Sequence, residues 1–138
     1  MTEDSCILIH YHEIALKGKN RSWFERRLIK NIKHQLTGIP WRKVHLAAAR
    51  IFCFGIDGSL WNEYAQRLRK VMGIKHAILM AQVKSDIHKI QSVAAFQLEG
   101  VDFNSFRVST RRQYKEYPLT SREVNEQVGR HLQSIYLK

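Results

Sequence analysis

The sequence predicts an α+β chain, and three observations carry that expectation. Short apolar runs suited to strands alternate with stretches whose apolar residues recur every three or four positions and open on capping signals. Over the first eighty residues these segments come in the order strand, helix, strand, strand, helix, strand. Hydrophobic residues make up 44% of the 138, enough to bury a core. The order β-α-β-β-α-β is the ferredoxin-like arrangement, in which both helices cover one face of an antiparallel sheet.

The first strand is "CILIHY", 6–11, a short apolar run of the kind that is buried on both faces. A helix follows with Ser22 as its expected N-cap and Glu25 three residues on, a capping box. Phe24, Leu28, Ile32 and Leu36 recur every four residues as its core stripe, and Gly38 and Pro40 end it. "WRKVHLAA" and "RIFCFGI" read as two antiparallel strands, stopped by Gly55, Asp57 and Gly58. Ser59 is expected to cap a second helix whose inner face is Leu60, Tyr64, Leu68 and Val71, with Gly73 as terminator. "HAILMAQV" is the fourth strand and closes a first domain, 1–80.

A second domain is expected over 81–138. Ser85 caps a helix with Ile87, Ile90, Ala94 and Leu98 facing inward. "SFRVSTRR", 105–112, reads as a strand ending in cations, and the loop "QYKEYP" leads to a last helix. There Thr120 and Glu123 form a capping box, and Leu119 and Val124 are spaced as a hydrophobic staple. Val124, Val128, Leu132 and Ile135 give that helix its core face. One strand between two helices offers no sheet to pack on, so this face is expected to stay partly uncovered and to favour association, the alternative being a strand docked on the edge of the first domain in a single chain.

Charge narrows the function. The chain has 23 Lys plus Arg against 12 Asp plus Glu, a net charge of +11. Such a field attracts polyanions, and nucleic acid fits better than a membrane surface, because the apolar helix faces read as core. No run approaches the roughly 18 apolar residues of a membrane span. The acidic start "MTEDSCILIHYHE" lacks a signal-peptide layout, so the expected location is the cytoplasm. Cys6 and Cys53 lie apart within apolar runs and are expected to be buried and reduced.

Three constellations could carry chemistry. On the first helix Arg26, Lys30 and Lys33 share a face flanked by Arg27, Asn31 and His34, and Lys17, Lys19, Asn20 and Arg21 precede it on a loop. This strip suits a phosphate backbone, where each neutralised phosphate releases counterions. The plainer reading is a solvated basic face. Next, Arg111, Arg112 and Lys115 come just before a helix that opens with Thr120 and Ser121. Cations, free N–H groups and small hydroxyls there suit a phosphate or an RNA end, and Tyr114 and Tyr117 could stack on unpaired bases. A well-capped helix after a polar loop accounts for much of the same pattern. Last, His10 and His12 are alternate residues on one strand and could bind a metal or act as an acid–base pair on RNA, but no third ligand except Glu13 follows from the sequence, so no metal site and no catalytic residue is assigned. No phosphate-cradling glycine loop or nucleophile elbow is present in the sequence.

The stretch "EIALKGKNRSWFERRLIKNI" closely resembles the N-terminal signature of tRNA 4-thiouridine synthetases, tRNA sulfurtransferases of which some also serve thiamine biosynthesis. "FRVSTRRQYKEYPLTSREVNEQVGRHL" resembles the core of their THUMP RNA-binding domain. The likeness runs from about Ile7 to Leu137, with His12 standing where the family carries Gly before Glu13. It implies a ferredoxin-like domain followed by a THUMP domain without its closing strands, which together hold a tRNA acceptor arm and 3′ end. It implies no cofactor here, because ATP is bound and uridine thiolated by a separate catalytic domain with a Ser-Gly-Gly-x-Asp-Ser loop. The implied partners are tRNA, a second copy in a homodimer, that catalytic domain and a sulfur-donor protein. The alternatives are a free-standing THUMP protein acting in trans and a small ferredoxin-like phosphohydrolase.

Overall fold

Strand β1 (Ser5–Tyr11) takes an interior place in a four-stranded antiparallel sheet of order β2-β3-β1-β4. Residues 6–9 and Tyr11 of this strand are buried, as a place with strand neighbours on both sides favours. The computed structural model describes residues 5–12, 20–111 and 116–136. Within them the chain forms two units, Met1–Gln82 and Val83–Lys138.

In the first unit α1 (Asn20–Gln35), β2 (Lys43–Ala47), β3 (Arg50–Phe54), α2 (Trp61–Leu68) and β4 (Ile74–Ala81) complete the expected β-α-β-β-α-β order. Leu8 pairs with Phe52 of β3 and Ile78 of β4, and His45 of β2 pairs with Phe52, so one row crosses all four strands. The core lies on one side of this sheet. Ile7, Ile9 and Tyr11 of β1 and Ile51 and Cys53 of β3 meet Leu28, Ile32 and Leu36 from the α1 stripe and Tyr64, Leu68 and Val71 from α2 and its end. The strand period of two then sends the alternate residues to the opposite face.

The caps differ from expectation. The first helix already begins at Asn20, so Ser22 lies inside it and is exposed, and Glu25 is buried instead of closing a capping box. A tertiary partner, the Tyr11 hydroxyl, takes up the Glu25 carboxylate. Before α2, Asp57 does the capping expected of Ser59: its carboxylate accepts from Ser59 N at 3.0 Å and Ser59 Oγ at 2.6 Å. A short 3₁₀ turn, Gly58–Leu60, therefore precedes α2 and leaves Leu60 exposed at its end. Cys6 and Cys53 are buried and unpaired.

In the second unit α3 (Ile87–Leu98) packs on α4 (Ser121–Tyr136). Asp86, not Ser85, caps α3, its Oδ1 accepting from His88 N at 2.9 Å and Lys89 N at 3.3 Å. A carboxylate one residue nearer the helix reaches these N–H groups better than the serine hydroxyl. The α4 capping box forms as expected, with Thr120 N donating to Glu123 Oε1 and Glu123 N to Thr120 Oγ1, both at 3.1 Å. Val124, Val128 and Leu132 are buried, covered by Ile87, Ile90, Phe106, Val108 and Leu119 among others, so the expected open core is closed. Ile135 is exposed instead, because the four-residue repeat continues to Tyr136, whose hydroxyl donates to Ala95 O.

The segment expected to be a strand, 105–112, carries no strand over its described residues, 105–111. Phe106 and Val108 are nonetheless half-buried while Arg107 and Ser109 are exposed. The alternation of a strand is present without a ladder, since a ladder requires a neighbouring strand to accept its bonds. Among the described residues no helix is long and apolar enough to cross a membrane.

The β2–β3 hairpin turns through Ala48 and Ala49 at φ of 49° and 64°. Both lie in the left-handed region, where a side chain other than Gly or Asn is disfavoured and where a two-residue turn prefers Asn-Gly. Replacing the pair by Asn-Gly is expected to stabilise the chain by about 1–2 kcal/mol. Urea unfolding reads this directly, and an unchanged midpoint would show that the alanines cost nothing there.

Candidate nucleic-acid interface

The first half of the candidate interface is α1. Because Leu28, Ile32 and Leu36 face the sheet, the residues between them in the helical repeat face water. Arg26, Arg27, Lys30, Asn31, Lys33 and His34 are all exposed, and among the described residues no carboxylate pairs with Arg26, Lys30 or Lys33. Asn20 and Arg21 open the helix and are exposed as well. Lys17 and Lys19 lie outside the described residues.

Trp23 joins this strip and was not singled out from sequence. The residue is 58% exposed, and the Arg27 guanidinium sits 5.6 Å from the centroid of its ring. The signal was present: position 23 is three, four and seven residues from 26, 27 and 30, one step off the core stripe. An exposed indole beside cations offers a stacking face as well as a hydrogen-bond donor.

Other cations of the unit are occupied in holding the fold. Arg67 donates to Gln35 O at 3.1 Å and Thr37 O at 2.6 Å, satisfying carbonyls at the end of α1, and pairs with Glu63 at 2.8 Å. Arg21 lies 3.6 Å from Glu25 Oε2, and the Tyr11 hydroxyl donates to the same oxygen. Burial, then the bond to Glu25, pushes the Tyr11 hydroxyl up to about 12, so it stays a donor throughout the physiological range. This trio joins the end of β1 to the start of α1 and sets the helix rotation that turns the strip outward.

The second half was expected around Arg111, Arg112, Lys115, Thr120 and Ser121. Arg111 is exposed, while Arg112, Tyr114 and Lys115 lie outside the described residues. Thr120 is exposed but its N–H and hydroxyl both serve the capping box, which brings the Glu123 carboxylate to the helix end. Ser121 and Arg122 open the helix beside this box. Tyr117 packs half-buried against the second unit's core.

The histidines are separated. His12 is exposed beyond the strand, its backbone N–H donating to Gly73 O at 2.9 Å, while His10 faces His76 with ring centroids 4.5 Å apart. Burial, then the charges of His76, Arg50 and Lys75, hold the His10 imidazole below its ordinary range. Among the described residues no three potential ligands gather as a metal site. Burial raises both thiols, that of Cys53 to about 12, so neither is a ready nucleophile.

Residues 6–78, more than half the chain, match the family model of the ThiI ferredoxin-like domain. The chain belongs to the ThiI ferredoxin-like domain family. It is 39% identical over 123 residues to a probable tRNA sulfurtransferase of Thermoanaerobacter sp. (strain X514), covering 89% of this chain and 32% of that one. A probable tRNA sulfurtransferase of Listeria monocytogenes serotype 4a is 30% identical, covering 94% and 32%. The chain thus spans about a third of the length of these ThiI relatives. A 4-thiouridine synthetase solved with RNA and ATP superposes with a TM-score of 0.79 at 28% identity, over 98% of this chain and 34% of that one. The Pyrococcus horikoshii Ot3 protein PH1313 gives 0.76 at 29%, over 94% and 44%.

Within this ThiI chain the Tyr11–Glu25 bond is expected to be worth measuring by a double-mutant cycle. Tyr11→Phe strands a buried carboxylate and should cost about 1–3 kcal/mol in urea unfolding. Tyr11→Phe with Glu25→Leu should cost less than the two single changes summed. Strict additivity would show that the two groups do not support one another.

Proposed function

We propose that this chain is the tRNA-holding part of a 4-thiouridine synthetase. It grips the acceptor arm and 3′ end of tRNA while a catalytic domain, fed by a sulfur-donor protein, thiolates a uridine. The observation that carries the reading is the α1 strip: Arg26, Lys30 and Lys33 exposed beside Trp23 and Arg27, on a chain of net charge +11. Lysines and arginines at this spacing follow a phosphate backbone, and an exposed indole adds a face for an unpaired base. The RNA complex of the related 4-thiouridine synthetase supports the same ligand class. Lys17, Lys19, Asn20 and Arg21 would extend the strip toward the loop, and Arg111, Arg112, Lys115, Thr120 and Ser121 would take the 3′ end from a THUMP unit. The reading assigns ATP to the catalytic domain rather than to these residues and sets the protein in the cytoplasm with its substrate.

Charge reversal at Arg26, Lys30 and Lys33 tests this against reversal at the exposed Arg42, Lys70 and Lys75. Fluorescence anisotropy with folded tRNA should give log K falling linearly with log salt. The strip variant should lower that slope by about 2–3, because three phosphate contacts are lost. Equal effects from both trios would mean that only net charge matters, and a salt-independent affinity would sink the reading.

The same reading includes a homodimer. Phe96, 58% exposed, and Ile135, 43% exposed, flank the Tyr136–Ala95 hydrogen bond on the second unit, and apolar surface of this kind favours association. Light scattering is expected to give twice the chain mass, reduced to one by Phe96→Glu with Ile135→Glu. A monomer at high micromolar concentration would remove this part of the proposal.

A further inference from the structure

The face of the sheet opposite α1 and α2 has its own chemistry. Ile51 and Cys53 belong to the core, so Phe52 and Phe54 stand on the other face of β3, both half-buried. Their rings are nearly parallel, 9° apart in plane and 6.0 Å between centroids. Leu8 and the exposed Ile78 continue the row from Phe52, and Met80 is exposed beyond them.

Around this apolar centre the same face carries Lys43 and His45 from β2, Arg50 from β3, His10 from β1 and His76 from β4. Lys43 pairs with Phe54, His45 with Phe52, and His10 with His76. None of the four strands contains an Asp or Glu. A sheet face with two aromatic rings at i and i+2 and only basic groups at its margin complements a polyanion that also has flat apolar faces. A second copy of the chain fits less well, since it would set Arg50 and Lys43 against their own kind.

We infer that this face, opposite α1 and α2, is a second RNA-contacting surface, on which unpaired bases stack on Phe52 and Phe54 while Lys43 and Arg50 meet the phosphates. Four-stranded sheets that read single-stranded RNA use ring pairs in this way. The inference rests on the tRNA-holding reading for its ligand class but uses none of the strip residues. It divides the work: α1 takes paired backbone through charge, and the sheet face takes unpaired nucleotides through stacking.

The test uses the 138-residue chain with a short single-stranded RNA of mixed sequence and a blunt RNA hairpin. Phe52→Leu with Phe54→Leu keeps apolar bulk but removes the rings, and Phe52→Tyr with Phe54→Tyr keeps the rings. The Leu pair is expected to lose single-strand affinity by about tenfold or more, with hairpin affinity unchanged. The Tyr pair is expected to bind both RNAs as the parent does. On the unmodified chain, nuclear Overhauser contacts between Phe ring and base protons give a readout that needs no variant. Parent-like single-strand binding by a folded Leu pair, or absence of ring-to-base contacts, overturns the inference and leaves the strip reading standing. A Leu pair that instead changes the chain's mass in light scattering marks the face as a protein contact and also overturns it. Failure of the parent to bind folded tRNA, hairpin and single strand alike overturns both readings.

Discussion

Glu25 is a carboxylate buried under α1, and the disposition of the first unit turns on how it is held. The Tyr11 hydroxyl donates to it from the end of β1, and Arg21 approaches from one helical turn before. A buried carboxylate without such partners would cost several kcal/mol, so the helix is tied in rotation as well as position. With Glu25, Leu28, Ile32 and Leu36 turned inward, helical geometry leaves Arg26, Lys30 and Lys33 no place but the solvent face. The interaction that holds the fold is therefore also the one that presents the charge.

The cations of this unit fall into two groups with different physics. Arg67 and Arg21 have acceptors within the fold, Arg67 on the carbonyls that end α1 and Arg21 near Glu25. Those of the strip have none among the described residues, so their field is left to act outward. A binding surface draws chiefly on the second kind, with the exposed Arg21 shared between Glu25 and the edge of the strip, and net charge alone does not tell them apart. The sheet face opposite α1 and α2 adds a further setting, in which Lys43 and Arg50 border aromatic rings instead of carboxylates.

The second unit shows how a segment can keep a strand's pattern without a strand's bonds. Phe106 and Val108 cover the α3–α4 pair, with Phe103 packed edge-on to Phe106 and Tyr136, at 6.3 Å and 5.6 Å between centroids. Side-chain burial fixes the alternation, and backbone pairing would need a neighbour in register. As α3 and this segment already cover Val124, Val128 and Leu132, the two helices have a core of their own.

Local pattern determined much of this protein by itself. The order of the six elements in the first unit, the α1 stripe, the Thr120–Glu123 box and the burial of both cysteines follow from spacing and residue type, because each depends on neighbours within a few positions. The strip was legible for the same reason, being the complement of the core stripe on one helix. Tertiary structure decided what depends on distant partners. Glu25 left its expected box for Tyr11, fourteen residues earlier in the chain. Asp57 and Asp86 outcompeted the neighbouring serines once the chain's path into each helix was set. Residues 105–111 stayed out of a sheet for want of a partner strand among the described residues. The basic, ring-bearing face existed only as alternate letters in four separate strands until antiparallel register brought Phe52 beside Leu8 and His45, and His10 beside His76. Register is a relation between strands far apart in sequence, and no single segment encodes it.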